Sequence, residues 1–180
     1  MSALRIRPAE EADVPLILRF IRELADYERL LHEVVATEER LRRTLFGPRP
    51  GAEVVIAEDG GHPVGFALFF HNYSTFLAQP GLYLEDLYVR PEAGGRGIGR
   101  ALLAHLARLA RDRDCGRLAW WVLDWNEAAI RFYHSLGARP MDEWTVFRLT
   151  GDDLARLAEE GRPVSRATGM SSISAADPAT

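Results

Sequence analysis

Residues Leu82–Ala104, LYLEDLYVRPEAGGRGIGRALLA, decide the fold, because a strand runs through a glycine turn into a helix. The strand is predicted for Leu82–Val89, which is apolar except for Glu85 and Asp86. The helix is predicted to reach about Arg113, because apolar side chains recur at helical spacing. These side chains are Ile98, Leu102, Leu103, Leu106 and Leu109.

The glycines of this stretch lie where the predicted helix begins. Glycine lets the backbone turn tightly and approach a ligand without a side chain in the way. A helix start also has unpaired N–H groups and a partial positive charge, which together bind phosphate. The turn is therefore predicted to bind a pyrophosphate through Gly95, Arg96, Gly97, Ile98, Gly99 and Arg100.

Other glycine signatures fit this turn less well. The sequence contains no GxxxxGK followed by Ser or Thr, which a nucleoside triphosphate loop requires. A dinucleotide fingerprint should close the first strand of a βαβ unit, and this strand comes later in the chain. A glycine turn without any ligand remains the alternative when the glycines are considered alone.

Composition describes an ordinary globular protein of 180 residues, with 47% hydrophobic and 27% charged residues. The net charge of −4 argues against a nucleic-acid surface and permits cationic ligands. Cys115 is the single cysteine, and the histidines lack ligand spacing, so neither a disulfide nor a metal site is expected. The sequence lacks a secretory signal and a membrane-spanning apolar run, so a cytoplasmic location is expected.

The pattern along the chain predicts one α/β or α+β domain over residues 1–161. Strands are predicted at Leu4–Ile6, Glu53–Glu58, Pro63–His71, Leu82–Val89, Arg117–Asp124 and Trp144–Leu149. Helices are predicted at Glu11–Glu28, Thr37–Leu45, the glycine turn to Arg113, Asn126–Leu136 and Asp152–Glu160. Residues 162–180 are rich in Ser, Ala, Thr and Pro and are predicted to be a disordered tail.

The chain resembles the GNAT superfamily of acetyl-coenzyme A-dependent N-acetyltransferases. Within it, the segments LYLEDLYV, GIG and DWNEAAIRFYHSLGA are most similar to the diamine (spermidine/spermine) acetyltransferases and their thialysine-acetylating relatives. The family motif begins with Arg or Gln directly after the strand, where this chain has Gly94. A literal match begins two residues later, at Arg96, and Arg96 or Arg100 is expected to supply the missing charge.

The resemblance implies a GNAT fold with a mixed, mostly antiparallel twisted sheet and helices on both faces. The fourth and fifth strands would be parallel and would splay apart, so that coenzyme A enters between them. The backbone of Leu87, Tyr88 and Val89 would then bind the pantetheine arm, and Asn126 would close the slot. Asn126 as a helix cap alone is the alternative.

Two residues are expected to take part in the chemistry. By resemblance, Tyr133 would donate a proton to the departing thiolate, and Glu85 would take the proton of the amine. Glu85 and Asp86 are adjacent in a strand, so their side chains should point to opposite faces unless a bulge intervenes. An aromatic anchor is the structural alternative for Tyr133, and an ion-paired strand residue is the alternative for Glu85.

The acceptor is expected to be a small cationic amine. The resemblance assigns its binding to Tyr27, Glu28, Glu85, Asp86, Asp142 and Trp144, with diamines or polyamines first and thialysine-like amines second. A solvated helix end is the alternative for Tyr27 and Glu28.

The function implied is N-acetylation of a primary amine by direct attack in a ternary complex, without a metal, a membrane or a nucleic acid. Two other functions remain open: a coenzyme A-binding sensor without turnover, and acetylation of a protein or peptide. The resemblance also implies a homodimer with the C-terminal segment at its interface.

Overall fold

The computed structural model describes residues 4–161. One compact unit ends at Ile130 and a second begins at Arg131, and each is described by itself. A single domain over residues 1–161 stays a prediction. The predicted tail at residues 162–180 lies outside the described residues.

The chain forms the predicted mixed sheet, together with helices. Its strands are β1 Leu4–Pro8, β2 Glu53–Asp59, β3 His62–Ser74, β4 Gln79–Val89 and β5 Leu118–Trp120. Its helices are α1 Val14–Tyr27, α2 Glu38–Leu45, α3 Ile98–Asp112, α4 Glu127–Ser135 and α5 Gly151–Glu160. The sheet has the order β1-β2-β3-β4-β5, and each neighbouring pair is antiparallel except the parallel pair β4–β5.

Apolar side chains cover both faces of the sheet. On one face, helix α1 packs Ile17 and Phe20 against Val54 of β2 and Phe66 of β3. Residues that alternate with these along the strands point to the opposite face, and Ala67 among them is also buried. Helix α3 contacts β1, β3, β4 and β5. The carboxylates of β4 and the residues at the end of α1 therefore stand on a core that is apolar on both faces of the sheet.

Two strand predictions are wrong: one strand is shorter than predicted, and the other does not form within residues 4–161. The strand predicted for Arg117–Asp124 is reduced to the three residues of β5. The strand predicted for Trp144–Leu149 does not form in the described part of the chain. Its alternating apolar pattern suits a strand, but Trp144 and Phe147 are exposed and no neighbouring strand pairs with the segment.

Between residues 4 and 161, no helix combines the length and the apolar character needed to cross a bilayer.

Candidate active site

A β-bulge in β4 sets the direction of the two strand carboxylates. Leu84 pairs with Phe69 and Asp86 pairs with Leu68, so Glu85 has no partner in β3. Paired residues share a face, and Leu68 and Phe69 are neighbours that point to opposite faces. Asp86 therefore points to the face covered by helix α1, where Leu68 packs, while Leu84 points away from it.

The bulge brings Glu85 and Asp86 to one side of the sheet instead of opposite sides. Asp86 is half-buried, and Glu85 is exposed. Burial first, then the charges of Glu85 and Glu28, raise the pKa of Asp86 to about 6. Burial also raises the pKa of Glu28. The structure thus groups three of the predicted acceptor-binding carboxylates, two from β4 and one from the end of α1.

The parallel pairing of β4 with β5 ends just before these carboxylates. It joins Leu82 to Leu118 and stops at Leu84 and Trp120. From Glu85 to Val89 the described residues offer β4 no partner on the β5 side. The backbone of residues 87–89, which the family resemblance implies as the contact of the pantetheine arm, lies on this free edge.

The glycine turn joins β4 to helix α3, as the sequence predicts. Gly95 has φ +72° and Gly97 has φ +78°, a region that side chains other than glycine rarely adopt. A methyl group added at either position would meet no atom within 4 Å, so space is open above the backbone. The first backbone bond of α3 runs from the Ala101 N–H to the Gly97 carbonyl, so Ile98, Gly99 and Arg100 begin the helix without intrahelical partners for their N–H groups.

One residue of the turn, Gly94, differs from the family pattern, and Arg96 is one of the two residues expected to supply the missing charge. A side chain at Gly94 would place its Cβ 3.0 Å from the Pro91 carbonyl oxygen, a tight contact. Arg96 forms an ion pair with Asp59 at the end of β2. Arg96 is thus held by a carboxylate, while Arg100 is exposed on the first turn of α3.

The end of helix α1 meets the loop before helix α4. The Tyr27 hydroxyl donates to Oδ1 of Asn126 at 3.4 Å, and the rings of Tyr27 and Trp125 lie 6.1 Å apart. Oδ1 of Asn126 also accepts from the Ala129 N–H at 3.2 Å, so Asn126 caps α4. Tyr27 is therefore fixed at the site by contacts with two consecutive loop residues.

Sequence reasoning missed Arg29 and Trp125. The Arg29 guanidinium lies over the Trp125 ring, 5.5 Å from its centroid. The DWNE sequence could have indicated Trp125, since it precedes a predicted cap. The sequence gives no signal for Arg29. Its backbone φ of +63° and its contact with Trp125 are evident only in the folded chain.

The remaining predicted residues belong to the second unit. Tyr133 is half-buried on α4, and its ring lies 5.4 Å from that of Phe132. Its carbonyl accepts from the N–H of Leu136, and Gly137 with φ +85° follows the helix as predicted. Asp142 and Trp144 are exposed in an irregular segment.

The described residues include no group of three or more His, Cys, Asp or Glu side chains arranged to hold a metal ion.

Comparison with known proteins supplies the family. The acetyltransferase (GNAT) family profile matches residues 19–138. The chain is 40% identical to a thialysine N-epsilon-acetyltransferase of Sus scrofa, covering 88% of this chain and 99% of that protein. It is 35% identical to an L-ornithine N5-acetyltransferase of Arabidopsis thaliana, covering 85% and 87%. It is 36% identical to the spermidine/spermine N(1)-acetyltransferase-like protein 1 of Homo sapiens, covering 89% of this chain and 24% of that protein.

Solved structures agree with this assignment at the level of the fold. An integron cassette protein of V. cholerae superposes with a TM-score of 0.74 at 28% identity, covering 87% of this chain and 98% of that one. An aminoglycoside acetyltransferase from a soil metagenome superposes with a TM-score of 0.69 at 20% identity, covering 82% and 95%. The family match, together with relatives 35% to 40% identical along nearly the whole fold, makes this chain an N-acetyltransferase of the GNAT family.

Proposed function

We propose that the chain transfers the acetyl group of acetyl-coenzyme A to a primary amine of a small cationic acceptor, by direct attack in a ternary complex. The observation that carries this proposal is the group of three carboxylates, Glu28, Glu85 and Asp86, beside the free edge of β4. A group of carboxylates attracts an acceptor that carries more than one ammonium group. The names of the thialysine, ornithine and spermidine/spermine relatives support the same class of acceptor.

The residues of the turn fit a bound coenzyme. Gly95 and Gly97 leave open space where a side chain would block a pyrophosphate, and the start of α3 offers N–H donors and a positive dipole end. We assign the pyrophosphate to residues 95–100, with Arg100 as the cation of the turn because Arg96 is paired with Asp59. The bound coenzyme would supply an acetyl group activated as a thioester.

Glu85 is the proposed proton acceptor. An alkyl ammonium has a pKa of about 10, so the acceptor must lose a proton before its nitrogen can attack. Glu85 is exposed at the bulge and so is accessible to an amine or to an intervening water. Glu28 and Asp86 would hold the positive charge of the acceptor while Glu85 removes the proton.

Tyr133 is the proposed proton donor. Its hydroxyl would protonate the sulfur that leaves when the acetyl group is transferred. Its place on α4, the helix capped by Asn126, supports this role because α4 follows β5 as the resemblance requires. Asp142 and Trp144 remain proposed acceptor contacts.

The test is release of free thiol from acetyl-coenzyme A with a panel of diamines, polyamines, amino acids and peptides, reported as kcat/KM. We expect turnover with small di- and tricationic amines. Coenzyme binding without turnover on any amine would favour the sensor, and a peptide better than every small amine would favour protein acetylation.

A homodimer and a cytoplasmic location also remain predictions. The exposed apolar side chains of Trp144, Val146 and Phe147 support a C-terminal segment at a dimer interface. Sedimentation of the purified chain, with a Phe147→Ser variant alongside, would test the dimer.

A further inference from the structure

We propose that Arg29 is a specificity-determining residue: its guanidinium binds the carboxylate of an amino-acid acceptor, so that the enzyme prefers the terminal amine of a diamino acid to the same amine in a diamine. The inference rests on the proposed acetyl transfer and names the acceptor class of that same site. It depends on the backbone of Arg29, on the ring that holds its side chain, and on the charges around it.

The backbone of Arg29 has a conformation that normally calls for glycine. Helix α1 ends in a Schellman motif, in which the Leu30 N–H donates to the Ala25 carbonyl and the Arg29 N–H donates to the Asp26 carbonyl. Arg29 occupies the left-handed position of the motif, with φ +63°. Glycine would meet this requirement with less strain, so the backbone itself gives no reason for an arginine here.

The side chain of Arg29 is held but not neutralised. Its guanidinium lies over the ring of Trp125, which in turn contacts Tyr27. Arg29 is exposed, and within residues 4–161 no carboxylate lies within ion-pair distance of it. A stacked guanidinium keeps its edge N–H groups available, and that edge matches the two oxygens of a carboxylate.

The charges around the site match a diamino acid more closely than a diamine. Arg29 directly follows Glu28 in the chain, and the charge of Glu28 acts on Asp86, so a cation and one of the three carboxylates both stand at the end of α1. A diamino acid carries two ammonium groups, which complement the three carboxylates, and one carboxylate, which complements Arg29. A diamine carries only the ammonium groups, and Arg29 repels them.

The experiment compares ornithine with 1,4-diaminobutane, which is ornithine without its carboxylate. Initial rates with acetyl-coenzyme A would be measured for the unaltered chain, Arg29→Gly and Arg29→Lys. We expect the unaltered chain to have the higher kcat/KM on ornithine. Arg29→Gly should lower kcat/KM on ornithine by about tenfold or more, mainly through KM, because a charge-assisted hydrogen bond is lost. On diaminobutane kcat/KM should stay unchanged or rise.

Two controls separate recognition from folding and from overall charge. Arg29→Gly should have an unchanged or higher Tm, because glycine suits the left-handed position. Arg49→Gly removes one exposed arginine between α2 and β2 and should leave both acceptors unaffected. Arg29→Lys keeps the charge without the fork and should fall between Arg29→Gly and the unaltered chain.

An equal loss on both acceptors, or no loss on ornithine, would overturn the role of Arg29 while leaving the acetyltransferase proposal intact. Absence of turnover with every amine in the unaltered chain would instead remove the proposed function, and this inference with it.

Discussion

The carboxylate of Glu28, at the end of helix α1, acts on the carboxylate of Asp86 in strand β4. Burial, then Glu85, then Glu28 raise the pKa of Asp86 from 3.8 to about 6. The native state therefore holds this proton more tightly than the unfolded chain, and the stability due to Asp86 falls as the pH rises from about 4 to about 6. The bulge that turns Asp86 toward α1 is the structural cause.

Asp86→Asn removes this titration. The free energy of unfolding of the variant, relative to that of the unaltered chain, should increase by up to about 3 kcal/mol when the pH is raised from 4 to 7.5. Urea unfolding at both pH values measures the difference. The same substitution should raise KM for a cationic acceptor, because a charge that holds it is lost. A stability difference that is identical at both pH values would contradict the raised pKa.

Glu28→Gln tests the interaction between Glu28 and Asp86 by removing the charge of Glu28. Without the negative charge of Glu28, the pKa of Asp86 should fall below its value in the unaltered chain, because one of the charges that raise it is gone. The side-chain carboxyl signal of Asp86 in an NMR titration reports this directly. An unmoved titration midpoint would mean that the two carboxylates do not interact in solution.

Gly97→Ala should weaken coenzyme binding and destabilise the chain. At φ +78° an alanine is strained, and the loss should be about 1 kcal/mol. The added methyl group would also stand in the open space above the turn, where the pyrophosphate is proposed to bind. Calorimetric titration with coenzyme A measures the affinity, and thermal unfolding measures the strain.

Gly61→Ala is the matched control for that substitution. Gly61 has φ +77° and also has no atom near an added Cβ, but it lies in the β2–β3 turn. It should lose similar stability and bind coenzyme A as the unaltered chain does. Equal losses of coenzyme affinity in both variants would point to general destabilisation instead of a contact at the glycine turn.

The stabilities of Tyr27→Phe and Asn126→Ala should show that the Tyr27–Asn126 bond contributes less to the free energy of unfolding than the Asn126 cap of α4 does. The Tyr27 hydroxyl bond to Asn126 is long, at 3.4 Å, so its loss should change stability by less than about 0.5 kcal/mol. Asn126→Ala removes the cap of α4 and should cost about 1 kcal/mol. Chemical unfolding compares the two, and a larger loss for Tyr27→Phe would reverse their roles.

The sequence was sufficient for the parts of the fold that depend on local pattern. The strand and helix around the glycine turn follow from apolar periodicity, and the glycines there permit the positive φ that Gly95 and Gly97 adopt. The strand predicted at 144–149 fails for a different reason. Its alternation is local, but a strand forms only against a partner, and sequence alone does not supply one.

The geometry of the site depended on contacts between distant segments. The sequence allowed for a bulge at Glu85, yet only the pairing of Leu84 with Phe69 and Asp86 with Leu68 locates it. Likewise, Arg29 and Trp125 are far apart in the chain and meet only after folding. In this chain that contact forms where the end of helix α1 meets a loop, which periodicity does not describe.

Tyr133→Phe tests the proposed proton donor. The ring contact with Phe132 and the backbone bonds from the Tyr133 carbonyl do not involve the hydroxyl, so those contacts should survive. We expect kcat to fall by about a hundredfold or more, because general acid catalysis typically contributes this much, while KM for coenzyme and acceptor changes little. Phe132→Leu, which alters the neighbouring ring without touching a hydroxyl, is the control and should retain kcat. Unchanged turnover in Tyr133→Phe would leave the thiolate to take its proton from solvent, and Tyr133 would then have no part in the reaction.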